Sequence, residues 1–534
     1  MTIKEQNINK ILFWLLAVSA IVRGVLAAWM EFGNDEVYYW TYALYPDWSH
    51  FDHPPMVGWV IQLFSLNLLF DSEFFIRLAS VVFMTADTYI IYRIAKDLKS
   101  AQAGLYAALL YTASIYAFVI TGVFILPDTP LMLFWLLAVW MAIKYFHNVA
   151  ALRQAQRPLF LLFFGLFAGL AMLSKYSGIF LWVGMGLYIL IFNRKQLKNP
   201  YLYLALLISA ICCIPILYWN IQNGFISFSF HSERIGGRTL SFSTLGNELA
   251  GEFLYNNPVN VVLVILAAIA AFKGKINMEK PALQLVLCVT LPMIGLFWLF
   301  SLTRPTLPHW NAPAYSTLIL LVACWLSERN PSENKTFRLP KAIMAALGIL
   351  LLTLVVGVAE IKTGFIPLDR HSDTEMLGRD DFTLDMYGWR QLEEKFATMR
   401  KEKISEDVMH EEDGLVADEW FPLANLDYYV ARPLGLRAMG LGWPQWLHKY
   451  LWINEKRGGF HLGESYWFLT DSRYLKDPKA LYQWYFSEIE LVGTIEIERF
   501  GKPAKNVFVY TCKNLINLPP NLKDFRAQSA SGDK

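Results

Sequence analysis

Charged residues and cysteines are both scarce in this 534-residue chain. Only 17% of the residues are charged, whereas 55% are hydrophobic, and the mean hydropathy is +0.33. This composition excludes a soluble globular protein, whose surface needs more charge. Four of the five cysteines lie in long apolar runs and only Cys512 lies in the polar C-terminal part, so a disulfide framework is excluded there.

The signatures of several enzyme classes are missing as well. The sequence contains no Walker loop, no glycine fingerprint for dinucleotides, no metalloprotease helix motif and no serine-nucleophile elbow. The net charge of +2 gives no indication of nucleic-acid binding. We therefore expect no nucleic-acid partner and no nucleotide substrate.

Apolar runs are abundant, and many are long enough to cross a membrane. A span needs roughly 20 predominantly apolar residues. We predict eleven spans, at residues 11–30, 74–94, 101–121, 129–147, 159–174, 178–192, 201–219, 256–272, 281–302, 311–327 and 342–361. The sequence therefore predicts a multi-pass α-helical protein in contact with membrane lipids.

Lysine and arginine are distributed unevenly between the loops that join these runs. With a cytoplasmic N-terminus, the cytoplasmic segments hold 18 Lys and Arg residues, and the outward loops hold Lys175, Arg234, Arg238 and Arg304. Positive residues accumulate in short cytoplasmic loops, so this orientation is favoured. An odd number of spans places everything after residue 361 outside. We predict a protein of the cell inner membrane with a periplasmic C-terminal domain.

Two polar regions interrupt or follow the spans. The loop 31–73 lacks Lys and Arg, and Pro54-Pro55 precedes an apolar stretch of about 15 residues, which predicts an interfacial helix or, alternatively, a twelfth span. After residue 361, charged helix-like stretches alternate with short strand-like runs. We predict a transmembrane catalytic domain over 1–361 and an exported α/β domain over 362–534.

An acidic pair follows the first span directly, in Asn34-Asp35-Glu36. Ionisable residues in membrane proteins are costly to bury and are often functional. Neighbouring helical side chains point about 100° apart, so only one carboxylate can easily face a given pocket. The pair could supply a general base or substrate anchor, or it could cap a helix at the membrane boundary.

Further polar candidates lie in the other outward segments. His53, next to Asp52 and before two prolines, could bind a phosphate or a metal, or belong to a solvated turn. Asp128 precedes the fourth span, where it could cap the helix. Lys175 lies in a tight outward turn where the charge rule disfavours lysine, which suits an anionic headgroup or snorkelling to the interface.

Two more candidate sites come from the later outward segments. Arg304 and His309 share one turn and allow the same two interpretations as Lys175. Asp52, His231 and Glu233 offer ligands for a divalent cation, although no spacing rule requires one. We predict no other cofactor.

The sequence also constrains the donor, if the protein is a transferase. Outside the cytoplasm there is no nucleotide pool, so a transferase there needs an activated donor delivered through the membrane. A sugar on a polyprenyl phosphate meets that requirement. Its site should contain a base for the acceptor and a cation for the leaving phosphate.

Several motifs together resemble one family. They are the acidic pair after the first span, the Pro-Pro helix, PDTPLMLFW, SKYSG, PILYWNIQNGFISFSF and PHWNAPAY. In this order they resemble the bacterial family 39/83 glycosyltransferases, over roughly residues 10–330. That family includes the 4-amino-4-deoxy-L-arabinose lipid A transferases and is related to the dolichyl-phosphate-mannose protein mannosyltransferases.

The resemblance implies the GT-C architecture and an inverting transfer from a polyprenyl-phosphate sugar. It implies that Asp35 is the catalytic carboxylate with Glu36 in support, and that Lys175 meets the lipid phosphate. Asp128 matches an acidic residue of the cavity. The arabinose transferases have a lysine before the first proline of the Pro-Pro pair, where this chain has His53, so the same sugar donor should not be assumed.

The remaining assignments complete the predicted site. We assign His53 and Arg304 to the donor phosphate with Lys175, and His309 and Tyr38 to the substrate cavity with Asp128. The acceptor stays open between lipid A, another glycan and protein hydroxyls. A transporter or flippase of lipid-linked sugars is the alternative function, although such proteins commonly show inverted repeats.

Overall fold

The computed structural model describes residues 2–146, 157–233, 240–333 and 335–522, which form a helical part and a C-terminal α/β domain. The helical part contains α1 (Ile8–Trp29), α2 (Asn34–Leu44), α3 (Met56–Phe64), α4 (Glu73–Leu98), α5 (Ala101–Ala113), α6 (Asp128–Phe146), α7 (Arg157–Ser174), α8 (Phe180–Phe192), α9 (Pro200–Cys212), α10 (Ile214–Gln222), α11 (Ile226–Glu233), α12 (Phe242–Tyr255), α13 (Pro258–Phe272), α14 (Lys280–Ser301), α15 (Ala312–Arg329) and α16 (Lys341–Thr363).

Each of the eleven predicted spans falls on helical segments. By length and composition, six described helices can cross a membrane, or up to eight if the bent pairs α9–α10 and α12–α13 each form one span. The run 101–121 is divided between α5 and a π-helical turn, Tyr116–Ile120. Nearly every residue of α5 and α15 is buried, so these two helices form the centre of the bundle.

The loop between α1 and α4 contains α2 and α3, which pack closely. A Cβ atom on Gly58 of α3 would lie 2.7 Å from Cβ of Tyr42 on α2, so only glycine permits this approach. The predicted helix of about 15 residues is wrong in length, because α3 ends at Phe64. Residues 66–68 have positive φ angles, and the Ser65 hydroxyl accepts a hydrogen bond from the Leu68 amide. Nine helical residues span roughly 14 Å, which excludes a twelfth span.

The C-terminal domain has the α/β architecture that the sequence predicts. Two short strands before this domain, β1 (Thr2–Lys4) and β2 (Thr336–Arg338), pair with each other. The strands of the domain are β3 (Gly414–Ala417), β4 (Ala438–Gly440), β5 (Tyr466–Asp471), β6 (Phe486–Arg499) and β7 (Lys502–Leu515). Its helices are α17 (Trp389–Ser405), α18 (Trp420–Leu426), α19 (Pro444–Leu447), α20 (Tyr450–Lys456) and α21 (Pro478–Tyr482).

Five of these strands form one mixed sheet in the order β4-β3-β5-β7-β6. Strand β3 is parallel to β4 and β5, whereas β7 is antiparallel to both β5 and β6. Alternating residues of β3 pack into two different cores: Leu415 and Ala417 into one, Val416 into the other. The sheet therefore has helices or loops on both faces.

The C-terminal domain packs directly on the loop between α1 and α4. The Tyr429 hydroxyl accepts a 2.7 Å hydrogen bond from the Phe32 amide, and the Tyr428 hydroxyl donates to the Asp71 carbonyl at 2.7 Å. An ion pair also joins Arg390 to Glu73 across this contact. The segment that carries the acidic pair is therefore held between the helical bundle and the sheet domain.

Candidate active site

Asp35 lies in the first turn of α2, at the end of the short turn that leaves α1. Its side chain is accessible to solvent, although the surrounding protein removes part of its hydration. This desolvation, with the charges of Asp52 and Glu36, raises the pKa of Asp35 to about 6. A carboxylate with such a pKa can accept a proton near neutral pH better than an ordinary aspartate.

Glu36, the second carboxylate, points into the protein. It is 1% exposed and accepts two hydrogen bonds from Arg77 of α4, at 2.7 and 2.6 Å. The amides of Gly33 and Ile125 also donate to it, at 3.0 and 3.1 Å. The two neighbouring carboxylates thus face different surroundings, and Glu36 fixes the start of α2 to α4.

Lys175 and Asp128 form a buried ion pair. The Lys175 Nζ atom lies 2.7 Å from Oδ2 of Asp128, and the two side chains are 11% and 3% exposed. The Tyr116 hydroxyl donates to the other carboxylate oxygen of Asp128 at 3.0 Å. Asp35 lies within the electrostatic range of both: Lys175 lowers its pKa and Asp128 raises it. The structure therefore brings the predicted base and the predicted cation to one site.

Two predicted histidines are uncharged at neutral pH. Desolvation lowers the pKa of His53 to about 4, against the nearby charge of Asp52 and together with that of Lys175. Desolvation and Lys175 lower the pKa of His309 to about 4 as well. The Nδ1 atom of His53 is buried and has no hydrogen-bond partner among the described residues. Both imidazoles lie near Lys175, but neither carries a positive charge at neutral pH.

Tyr38 and Asp52 belong to a buried network beside this site. The hydroxyls of Tyr38 and Tyr42 donate to one oxygen of Asp52, at 2.8 and 2.5 Å. Burial opposes ionisation, but His53, His448 and the two hydroxyls together lower the pKa of Asp52 below its usual value. Tyr38 is 1% exposed, so its hydroxyl serves Asp52 inside the protein.

The predicted metal ligands make other contacts. The His231 Nε2 atom lies 2.8 Å from the carbonyl oxygen of Asp52, while the carboxylate of Asp52 meets the tyrosines. The Glu233 side chain lies outside the described residues. Elsewhere in the described chain, one set of ligand atoms lies close enough for a metal ion, on Asp369, His371 and Asp380. This cluster is in the C-terminal domain.

Arg304 lies in the turn between α14 and α15, with its guanidinium 5.1 Å from the centre of the Phe300 ring. Its assignment to the donor phosphate stays a prediction. Three residues that the sequence motifs do not indicate hold the site: Arg77 from α4, Tyr116 from the π-helical turn and Lys449 from the C-terminal domain. Only Arg77 leaves a signal in the sequence, because it is a charge inside an apolar run.

The chain is similar to known proteins in sequence and in fold. Residues 52–219 match the family model described as dolichyl-phosphate-mannose-protein mannosyltransferase. The lipid A galacturonosyltransferase RgtD of Rhizobium johnstonii is 22% identical to this chain over 416 residues, which cover 76% of this chain and 81% of that protein.

Two crystal structures of ArnT from Cupriavidus metallidurans share the fold. The apo structure superposes with a TM-score of 0.62 at 14% identity, covering 94% of this chain and 98% of ArnT. The structure bound to undecaprenyl phosphate gives 0.61 at 15% identity, covering 93% and 97%. The predicted GT-C architecture, the family resemblance and the prediction of a glycosyltransferase are confirmed.

Proposed function

We propose that this multi-pass glycosyltransferase of the GT-C fold transfers a sugar from a polyprenyl-phosphate donor to lipid A or a related envelope glycolipid. The reaction takes place at the periplasmic face of the inner membrane. Two likenesses support this choice: a structure of the same fold binds undecaprenyl phosphate, and a curated relative acts on lipid A. The distribution of Lys and Arg supports the orientation.

One observation carries the proposal: a proton-accepting carboxylate and a buried cation lie at the same site. The pKa of Asp35 is raised to about 6, and Lys175 is among the charges that act on it. Glycosyl transfer from a phosphate needs a group that takes or orients the acceptor proton and a group that stabilises the leaving anion. The Asp35 carboxylate can take the acceptor proton, and the Lys175 ammonium can stabilise the leaving anion.

The proposed reaction is a single displacement. Asp35 accepts a hydrogen bond and then the proton from the acceptor hydroxyl, whose oxygen forms a bond to the anomeric carbon. The bond between that carbon and the phosphate oxygen breaks, and its electron pair leaves with the polyprenyl phosphate. Attack from the face opposite the phosphate inverts the anomeric configuration. No covalent sugar intermediate forms on the chain.

Lys175 can stabilise the departing phosphate without losing its ion pair. An ammonium group has three N–H donors, and Asp128 accepts one of them. Asp128 and Tyr116 thus hold the lysine in place while it donates to a phosphate oxygen. The charge of Lys175 acts on both His53 and His309 and lowers their pKa values. A bound dianionic phosphate would raise the pKa of both histidines.

The test is mass spectrometry of the lipid A fraction from cells that carry the wild-type chain, no chain, Asp35→Asn or Asp71→Asn. Asp71 is the matched control, because it lies in the same loop and pairs with Arg432 on the surface. We expect one sugar mass to disappear without the chain and with Asp35→Asn, and to persist with Asp71→Asn. The polyprenyl-phosphate sugar should accumulate in the two deficient strains.

The same strains separate this proposal from the alternatives. An unchanged lipid A fraction in the strain without the chain contradicts lipid A as the acceptor. A sugar mass that persists in Asp35→Asn cells contradicts the role of Asp35. Reconstituted vesicles with labelled donor complete the test, since a flippase would move the donor across the bilayer with or without Asp35.

A further inference from the structure

A second candidate site lies in the C-terminal domain, at the carboxyl ends of β3 and β5. The chain leaves β3 toward β4 on one side and leaves β5 toward β6 and β7 on the other. Helix α18, which follows β3, packs through Leu423 into the core that contains Leu415. Helix α21, which follows β5, packs through Tyr482 into the core that contains Val416. The two connections therefore cover opposite faces of the sheet.

Such a reversal creates a crevice between the two neighbouring strands. In open α/β sheets, ligands bind in the crevice outside the carboxyl ends of strands at this switch point. This structure has a cavity of about 120 Å³ at that position, lined on one side by residues 417–419, 421 and 422 and on the other by residues 468–471, 474 and 476. Its volume is below the ~150 Å³ of a cavity that binds benzene, so it can enclose part of a six-membered ring, with the remainder at the surface beside the exposed Tyr474.

The polar lining of this cavity is rich in carboxylates. Asp418, Glu419 and Asp471 line it together with one ammonium, Lys476. Lys476 Nζ lies 2.7 Å from Asp418 and 2.8 Å from Glu419, so it holds these two side chains side by side. Three carboxylates against Lys476 in the lining and Lys505, which lies 3.7 Å from Asp471, leave an excess of one negative charge. This excess of carboxylates disfavours phosphorylated and other anionic ligands.

Asp471 retains hydrogen-bonding capacity at this cavity. The side chain is more than nine-tenths buried, and one oxygen accepts a hydrogen bond from the Tyr474 amide at 3.1 Å. The other oxygen, Oδ2, is buried without a hydrogen-bond partner among the described residues, and Lys505 lies 3.7 Å away. A buried carboxylate oxygen in that state is costly unless a ligand or water donates to it.

Aromatic rings complete the lining. Phe421 and the exposed Tyr474 lie edge to face, with ring centres 5.2 Å apart. Carboxylates that accept from hydroxyl or ammonium groups, beside aromatic faces that cover C–H groups, form a suitable combination for a sugar ring. Trp420, the residue before Phe421, packs against Tyr38 of α2 at 5.0 Å between ring centres. The cavity thus adjoins the loop that carries Asp35.

We propose that this cavity, the switch-point site, binds an unphosphorylated, neutral or amine-bearing sugar unit of the acceptor. The proposal rests on the proposed function for the origin of that sugar, whereas the chemistry of the ligand follows from the lining alone. The site would hold a part of the acceptor away from the reacting hydroxyl.

The test uses the full-length chain in lipid nanodiscs and saturation-transfer NMR with D-glucosamine and glucosamine 6-phosphate as probes. The variants are Glu419→Gln and Tyr474→Leu. The matched control is Glu488→Gln, because Glu488 forms a similar half-exposed pair with Lys513 at 3.1 Å on β6. Thermal unfolding of each variant confirms that it is folded.

We expect saturation transfer from the wild-type chain to glucosamine. Glu419→Gln should bind glucosamine about tenfold more weakly than wild type, because it loses a charge-assisted hydrogen bond. Tyr474→Leu should also weaken the signal, and Glu488→Gln should retain it. The proposal is overturned if glucosamine receives no saturation, if both cavity variants bind like wild type, or if the 6-phosphate binds equally well. Binding needs no donor and no transfer, so a chain that binds glucosamine but transfers no sugar would contradict only the proposed function.

Discussion

The Nζ atom of Lys449, in the C-terminal domain, lies 2.7 Å from the carbonyl oxygen of Tyr45 at the end of α2. It also donates to the carbonyl of Thr41 at 2.8 Å, and the side chain is buried. The Tyr45 carbonyl is one that a helix C-terminus leaves without an intrahelical partner, whereas the Thr41 carbonyl also accepts a hydrogen bond from the Tyr45 amide at 2.9 Å. Burial lowers the pKa of Lys449 well below its usual value, and even the uncharged amine has two N–H groups for the two carbonyls. The C-terminal domain therefore caps the helix that begins with the acidic pair.

Replacing this lysine should loosen the whole contact. Lys449→Met leaves the Tyr45 carbonyl without this donor, which costs about 1–3 kcal/mol. We expect a melting temperature several degrees below that of wild type in purified, detergent-solubilised protein, with reduced transfer. Lys456→Met is the control, because Lys456 is exposed at the end of α20. Equal melting temperatures for the two variants would refute the capping role.

Glu36 and Asp35 should respond differently to the same chemical change. Glu36→Gln leaves the guanidinium of Arg77 buried beside an uncharged partner, which costs about 3–5 kcal/mol. Asp35→Asn should keep or slightly raise the melting temperature at pH 7.5, because folding raises the pKa of Asp35 and so disfavours its charged form at that pH.

Activity and thermal unfolding together assign the two roles. We expect Asp35→Asn to be folded and inactive, and Glu36→Gln to be destabilised with activity that follows the folded fraction. A Glu36→Gln protein with wild-type stability and no transfer would instead place Glu36 in the chemistry.

The helices of the bundle could be predicted because their signal is local. A long apolar run determines a helix by itself, and each of the eleven runs falls on helical segments. The length of α3 could not be predicted in this way. Its end depends on Asn67, whose side-chain oxygen accepts a hydrogen bond from the Gln62 amide group at 3.0 Å. It also depends on positive φ angles at Leu66 and Leu68, a residue type that does not indicate a turn in the sequence.

The candidate site was predictable where a residue is unusual for its place. Lys175 is a cation in an outward turn and Asp35 an acid at the end of a span, and both are brought together by the fold. The partners that hold them come from distant parts of the chain. Lys449 contacts the carbonyl of Thr41 across 408 residues, and no pattern within either segment indicates such a pairing.

The acid limb of the pH profile should report the charge next to Asp35. Transfer needs the deprotonated carboxylate, so kcat/KM should fall as the pH drops through about 6, the pKa of Asp35. After desolvation, the charge of Asp52 is the next contribution that raises this pKa. Asp52→Asn removes that charge while its side-chain oxygen can still accept from Tyr38 and Tyr42, so the acid limb should move to lower pH.

The matched control for this shift is Asp47→Asn. Asp47 lies in the same loop, where it accepts a hydrogen bond from the Trp219 indole at 2.9 Å. We expect its acid limb to coincide with that of wild type. If Asp52→Asn leaves the limb in place as well, the group that titrates is not Asp35.

His53 provides a direct test of the phosphate site. At neutral pH this imidazole is uncharged, because desolvation lowers its pKa to about 4. His53→Lys would add a permanent cation near Lys175, at the position where the arabinose transferases have a lysine. If the new ammonium gains one charge-assisted hydrogen bond to the phosphate, the donor KM should fall about tenfold at pH 7.5.

In wild type the donor KM should fall as the pH is lowered, since protonation of His53 then supplies the charge. His53→Gln, which stays neutral, should match wild type at pH 7.5 and show no such fall. Equal donor KM values for His53→Lys and His53→Gln would mean that residue 53 lies out of reach of the phosphate.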